Sequence, residues 1–178
     1  MSAIRTRALE AAIQVVAEGG MRALTHARVD RRAGLPPGST SNFFRTRAAL
    51  IEGLADAIAD AERSDFPAPD FAEADAFVDA LTHVIEIQTV ENAVRTKARL
   101  TLFLEAGADA AESLRAQRTR FEEWMKAVAV GLGMPDPRAA ARTLLACGSG
   151  LVMHRLTVDP DAPVRPVVER AVRGCLGP

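Results

Sequence analysis

Tyrosine is missing from this chain, tryptophan occurs once, and aromatic residues make up only 4%. The two cysteines, Cys147 and Cys175, are far apart and match no metal-binding or redox spacing. They read as two small buried thiols in a reducing cytosol. No apolar run approaches the roughly 20 residues that span a bilayer. The stretch Met1 to Leu9 carries two arginines but lacks the apolar stretch and cleavage signal of a secreted protein, so a cytoplasmic location is expected. No segment alternates apolar and polar residues as a half-buried strand does, and there is no internal repeat. No Gly-rich phosphate loop and no G-x-S-x-G occurs. His26, His83 and His154 lie on three separate helical segments. Glu86 follows His83 by one turn, and that pair reads as a solvated contact. No enzyme activity, bound metal or cofactor is therefore expected. An all-helical hydrolase or transferase, or an adaptor protein, stands as the alternative.

What is present is ordinary and helical. The 178 residues suggest one or two small domains, and 48% apolar residues suffice for a core. Charge is unevenly spread. Residues 1–50 hold eight arginines against Glu10, Glu18 and Asp30, a net +5, whereas residues 51–178 carry −6. A basic N-terminal part on an acidic remainder points to an anionic partner for the first part alone.

Leu9, Ala12, Ile13 and Val16 share one helical face, and Gly19-Gly20 ends that helix. Thr25 is a fair N-cap for a short second helix reaching Ala33, which Gly34 stops. A third helix fits Pro37 to Phe44, weakly capped because Pro36 stands where Ser or Thr would serve better. A fourth runs from about Thr46 to Arg63. Ser64 to Asp70 reads as a linker with two prolines. Further helices follow over 71–85, from Asn92 to Ala106, from Asp109 to Leu132, from an Asp136 cap to about Val158, and over 161–176. The fold class is all-α, with about nine helices.

Two short helices joined by a Gly-containing turn, after a longer brace, suggest helix-turn-helix. In that arrangement the third helix places its N-terminal side chains in the major groove. Here those are Ser39, Thr40, Ser41 and Asn42, short hydroxyls and one amide that reach phosphates or base edges. A surface helical hairpin with incidental arginines fits the same spacing.

The run A-L-T-H-A-R-V-D-R-R-A-G-L-P-P-G-S-T-S-N-F-F-R-T-R-A-A-L, after a first helix ending A-E-G-G, resembles the DNA-binding domain of tetracycline-repressor-type (TetR family) transcriptional regulators over residues 4–58. The resemblance implies a helix-turn-helix domain at 1–50 with its motif at about 25–44, linked by helix 46–63 to a ligand-binding and dimerisation domain at 64–178. It implies phosphate contacts from Thr25, His26 and Arg28, close approach of Pro37 and Gly38 to the DNA backbone, a reading face of Ser39, Thr40, Ser41 and Asn42, and phosphate contacts from Arg45 and Arg47. Asn42 is placed to pair with adenine. Two departures stand out. Phe43, which the resemblance also places among the DNA-binding residues, stands where the family often has Tyr or His, and Thr40-Ser41 replaces a bulky apolar–Tyr pair. Val29, Ala33, Leu35, Phe44 and Leu50 read as the core of this small domain.

The resemblance further implies a repressor that binds a palindromic operator as a homodimer and is released by a small apolar effector. Phe77, Leu81, Phe103, Phe121, Trp124 and Met125 are the expected lining of the effector cavity. Ala146, Gly148, Gly150, Leu151, Val164, Val168 and Val172 are the expected dimer interface. Each mid-helix glycine there costs roughly 1 kcal/mol against alanine, which close approach of another helix offsets.

Overall fold

The computed structural model describes residues 2–63, 71–105 and 112–177. Among the described residues the secondary structure is helical: α1 (Ala3–Ala23), α2 (His26–Ala33), α3 (Ser39–Phe43), α4 (Arg47–Arg63), α5 (Ala74–Thr89), α6 (Ala93–Glu105), α7 (Glu112–Gly131), α8 (Pro137–Thr157) and α9 (Arg165–Leu176). The linker expected at Ser64 to Asp70, the end of the sixth helix at Ala106 and the start of the seventh at 109–111 lie outside the described residues.

Local chemistry accounts for the boundaries. α1 is interrupted at Gly20, close to the stop expected from Gly19-Gly20. The Thr25 hydroxyl accepts the Arg28 N–H and caps α2, and Gly34 ends that helix in the left-handed conformation at φ 61°. The Arg7 guanidinium donates to the Ala33 carbonyl at 2.7 Å, filling an acceptor that the end of α2 leaves open. Asp136 caps α8 by accepting the Ala139 N–H at 3.0 Å. α3 is shorter than expected, because the chain turns through residues 37–38 before entering it.

Contacts divide the chain into two compact units, Met1–Arg63 with Val94–Ala116, and Ser64–Ala93 with Gln117–Pro178. In the first unit Leu9, Ala12 and Val16 of α1 meet Leu24, Val29, Phe44, Leu50, Leu54 and Ile58, and Ala98 and Leu102 of α6 complete that core. Each fully buried Leu or Ile contributes roughly 1.5–3 kcal/mol. α4 carries Gly53 where it crosses Phe44: a Cβ there would lie 2.4 Å from the Phe44 ring. Any larger residue forces ring and helix apart, so Gly53 sets how closely α4 seals the back of the small domain. α6 is tied to the end of α1 by the Glu105 carboxylate, which accepts the Met21 N–H at 3.1 Å.

In the second unit Phe77, Val78, Leu81 and Ile85 of α5, Met125 and Val128 of α7, Leu144 and Leu145 of α8, and Val164, Val168 and Val172 form one core. Ion pairs from Arg165 to Asp79 and from Arg173 to Asp75 and Glu169 run along its α5–α9 edge. They are exposed, and apolar packing supplies most of the attraction there.

Candidate nucleic-acid interface

α2 and α3 are joined through a buried carboxylate. Asp30, on the inner face of α2, is 3% exposed. One of its oxygens accepts the Gly38 N–H at 2.8 Å; the other accepts the Thr40 N–H at 2.8 Å and the Thr40 hydroxyl. Gly38 precedes α3 at φ 87° and has no side chain to cap it. Asp30 therefore supplies from α2 the cap that the local sequence lacks. Burial raises the Asp30 pKa, but the Thr40 hydroxyl, the Thr40 and Gly38 N–H groups and the charge of His26 outweigh it. The carboxyl is held below its ordinary value of 3.8. Sequence reasoning counted Asp30 only as one acid among arginines.

The outward face follows from this clamp. Ser41, Asn42, Phe43 and Arg45 are exposed, as are Thr25, Arg28, Pro37, Gly38 and Arg47 of the same unit. Ser41 donates to the Gly38 carbonyl at 2.8 Å and Ser39, half-buried, to the Pro36 carbonyl at 2.7 Å. Three expectations change. Thr40 is not on the reading face: it is 0% exposed and bonded to Asp30. His26 is half-buried, and its ring nitrogen Nε2 donates to the Phe44 carbonyl at 2.6 Å, so that nitrogen braces the motif instead of meeting phosphate. Arg47 donates to the Met21 carbonyl at 2.6 Å while staying exposed, so it ties α4 to the end of α1 as well as facing outward.

Residues 72–178 match the family model described as the tetracyclin repressor-like C-terminal domain. The chain belongs to the TetR family. As a TetR-family member it is a transcriptional regulator that binds DNA. Solved structures share its fold. A TetR-family member from Streptomyces coelicolor is 22% identical with a TM-score of 0.74, covering 97% of this chain and 98% of that one. NalD, the secondary repressor of the MexAB-OprM multidrug efflux pump in Pseudomonas aeruginosa, is 20% identical with a TM-score of 0.71, covering 96% and 94%. The multidrug binding protein EbrR, solved with ethidium, is 25% identical with a TM-score of 0.69, covering 96% and 97%. No curated protein matches the sequence.

The remaining expectations fall mostly in the second unit, where several change. Phe77, Leu81 and Met125 are sealed in its core, at 0%, 7% and 1% exposure. Phe121 and Trp124 are half-buried and stack at 5.4 Å, with Phe71 edge-on to Trp124 at 6.3 Å. Phe103 does not join them: it sits on α6 in the first unit and is exposed. On α8, Ala146 and Gly150 are exposed, whereas Gly148 faces Ile85 of α5 and Leu151 is buried. Val164, Val168 and Val172 are buried within one chain, so they close the core of the unit and are not available to a second subunit. An apolar stripe shows that a face is covered, not by what. Among the described residues no group of three or more His, Cys, Asp or Glu is arranged to hold a metal, and no helix is long and apolar enough to cross a membrane.

The Asp30 clamp has a pH signature. Its folded pKa lies below 3.8, so its stabilisation is present above that value and lost as pH falls through the folded pKa. Asp30→Asn is expected to cost about 1–3 kcal/mol near neutral pH. In denaturant melts the gap between variant and wild type should close on acidification below 3.8. A gap that stays constant across that range contradicts the assignment.

Proposed function

We propose that this protein is a cytoplasmic homodimeric repressor. It reads a palindromic operator through α3 and is released when a small apolar molecule binds its second unit. The observation that carries the reading is the exposed pair Ser41–Asn42 on a capped recognition helix, in an N-terminal part of net charge +5. Phosphate contacts from Arg28, Arg45, Arg47 and Thr25 would set register, and Asn42 would pair with adenine.

Dimer contact is assigned to the solvent-facing side of α8 and α9. Ala146, Gly150 and Met153 follow one another at helical spacing and are exposed, Met153 at 38%. Val167 of α9 is 40% exposed, and nothing lies within 4 Å of a Cβ built on Gly150 or Gly174. Small residues beside exposed Met and Val suit a close helix–helix seam. Two-fold symmetry then sets two α3 helices about 34–36 Å apart, one turn of DNA.

For the effector, the support is the half-buried Phe121–Trp124 stack in the second unit, together with the ethidium complex of EbrR. An effector that prefers a state with wrongly spaced reading helices lowers operator affinity through differential binding alone.

Four measurements follow. If a dimer neutralises about 6–10 phosphates, affinity for duplex DNA falls roughly 10³–10⁵-fold between 50 and 200 mM salt. Asn42→Ala loses about 1–3 kcal/mol at one base position; an unchanged base profile would assign readout to Ser39 and Ser41 or to DNA shape. Light scattering gives twice the chain mass for the wild type and the single mass for Gly150→Glu; an intact dimer in that variant removes α8 from the interface. Without DNA, Trp124 emission changes saturably with at least one of a panel of uncharged apolar probes and the aromatic cation ethidium. No response to any of them would rule out a site at the aromatic stack.

A further inference from the structure

We propose that Asp30 is a positioning residue for DNA readout: it fixes base preference by aiming Asn42, without touching DNA. The inference rests on the reading of α3 as the recognition helix.

α3 has five residues, too few to hold a helical turn against fraying by its own hydrogen bonds. Its orientation must come from outside. Leu35 and Phe44, which flank the turn and the helix, are buried and hold the ends. Apolar packing is non-directional, however, and leaves the rotation of so short a helix loosely set. The Asp30 carboxylate sets that rotation. Its two oxygens take three donors from two residues, Gly38 and Thr40, and each bond is directional. Together they turn Thr40 fully inward. At about 100° per residue, Asn42 then stands about 200° around the helix from Thr40, on the opposite face. The exposed Asn42 is thus aimed from behind by the buried acid.

The frame that carries Asp30 is itself braced. Arg32 of α2 pairs with Glu18 of α1 and donates to Gln14 at 2.8 Å, and Arg7 of α1 holds the Ala33 carbonyl. The Asp30 backbone carbonyl accepts the Leu35 N–H at 2.9 Å, so the same residue also fixes the start of the turn. An apolar side chain at position 30 would leave the Gly38 and Thr40 N–H groups without this acceptor, so the carboxylate serves both the stability of the turn and the orientation of the helix.

The test uses the full chain and a duplex enriched from a random pool by the wild type, beside a shuffled duplex of the same length. Asp30→Asn keeps the shape but loses one acceptor, and Thr40→Val keeps the volume but loses the hydroxyl. Both are expected to bind the enriched duplex about tenfold more weakly and the shuffled duplex within about twofold of wild type. Their base profiles should flatten at the positions that Asn42→Ala flattens. Thr40→Ser, which keeps the hydroxyl, should restore the selectivity that Thr40→Val loses. If Asp30→Asn does not fold, Thr40→Val and Thr40→Ser decide. Equal losses on both duplexes, or an unchanged profile in Thr40→Val, overturn the proposal. A wild type that enriches no duplex overturns the reading of α3 itself, and this inference with it.

Discussion

One buried carboxylate holds α2 and α3 together in the N-terminal unit. Taking a charge out of water is costly, and Asp30 meets that cost with three hydrogen bonds to Gly38 and Thr40. The bonds do two things at once. They close the first turn of a five-residue helix that its own residues do not cap, and they decide which side of that helix faces out. His26 adds a second strut from α2 to the end of α3 through the Phe44 carbonyl. Gly53 lets α4 pack against the Phe44 ring from behind. The exposed face presents Asn42 beside Ser41, whose hydroxyl also donates to the Gly38 carbonyl, and Arg47, which also ties α4 to Met21.

The second unit divides its labour by helix face. Val168 and Val172 of α9 and Leu144 and Leu145 of α8 look inward and share one core with α5 and α7. The opposite sides of the same helices expose Ala146, Gly150, Met153 and Val167. The proposed dimer uses both: an inner core lets the unit fold, and an outer seam would let two reading helices act on one stretch of DNA. The aromatic stack of Phe121 and Trp124 sits between those demands, half-buried and without the tight closure of Phe77 beside it.

Most helices were legible in the sequence because their signals are local. Thr25 and Gly34 bound α2, and Asp136 caps α8, where each was expected to act. The motif around α3 was legible as a pattern of turn residues and aromatics. Its working parts were less so. Nothing within five residues of Asp30 says that it caps a different helix, because that contact spans eight to ten positions and depends on how α2 and α3 cross. Thr40 looked like a reading residue for the same reason, since a hydroxyl on a basic segment carries no mark of facing inward. Val164, Val168 and Val172 show the matching ambiguity for apolar residues. Their spacing gave the correct face, but only the packing of α9 on α5 and α8 shows that their own chain covers it.

The account stands most directly on where the DNA is touched. Methylation protection on an enriched duplex reports guanine N7 in the major groove, where the proposed reading puts α3, and adenine N3 in the minor groove. The expected result is guanine protection in two half-sites with centres about 34 Å apart, weakened in Asn42→Ala around the base position whose preference that substitution flattens and kept elsewhere. Protection confined to the minor groove, or a single patch unaffected by the substitution, would contradict a recognition helix aimed by Asp30.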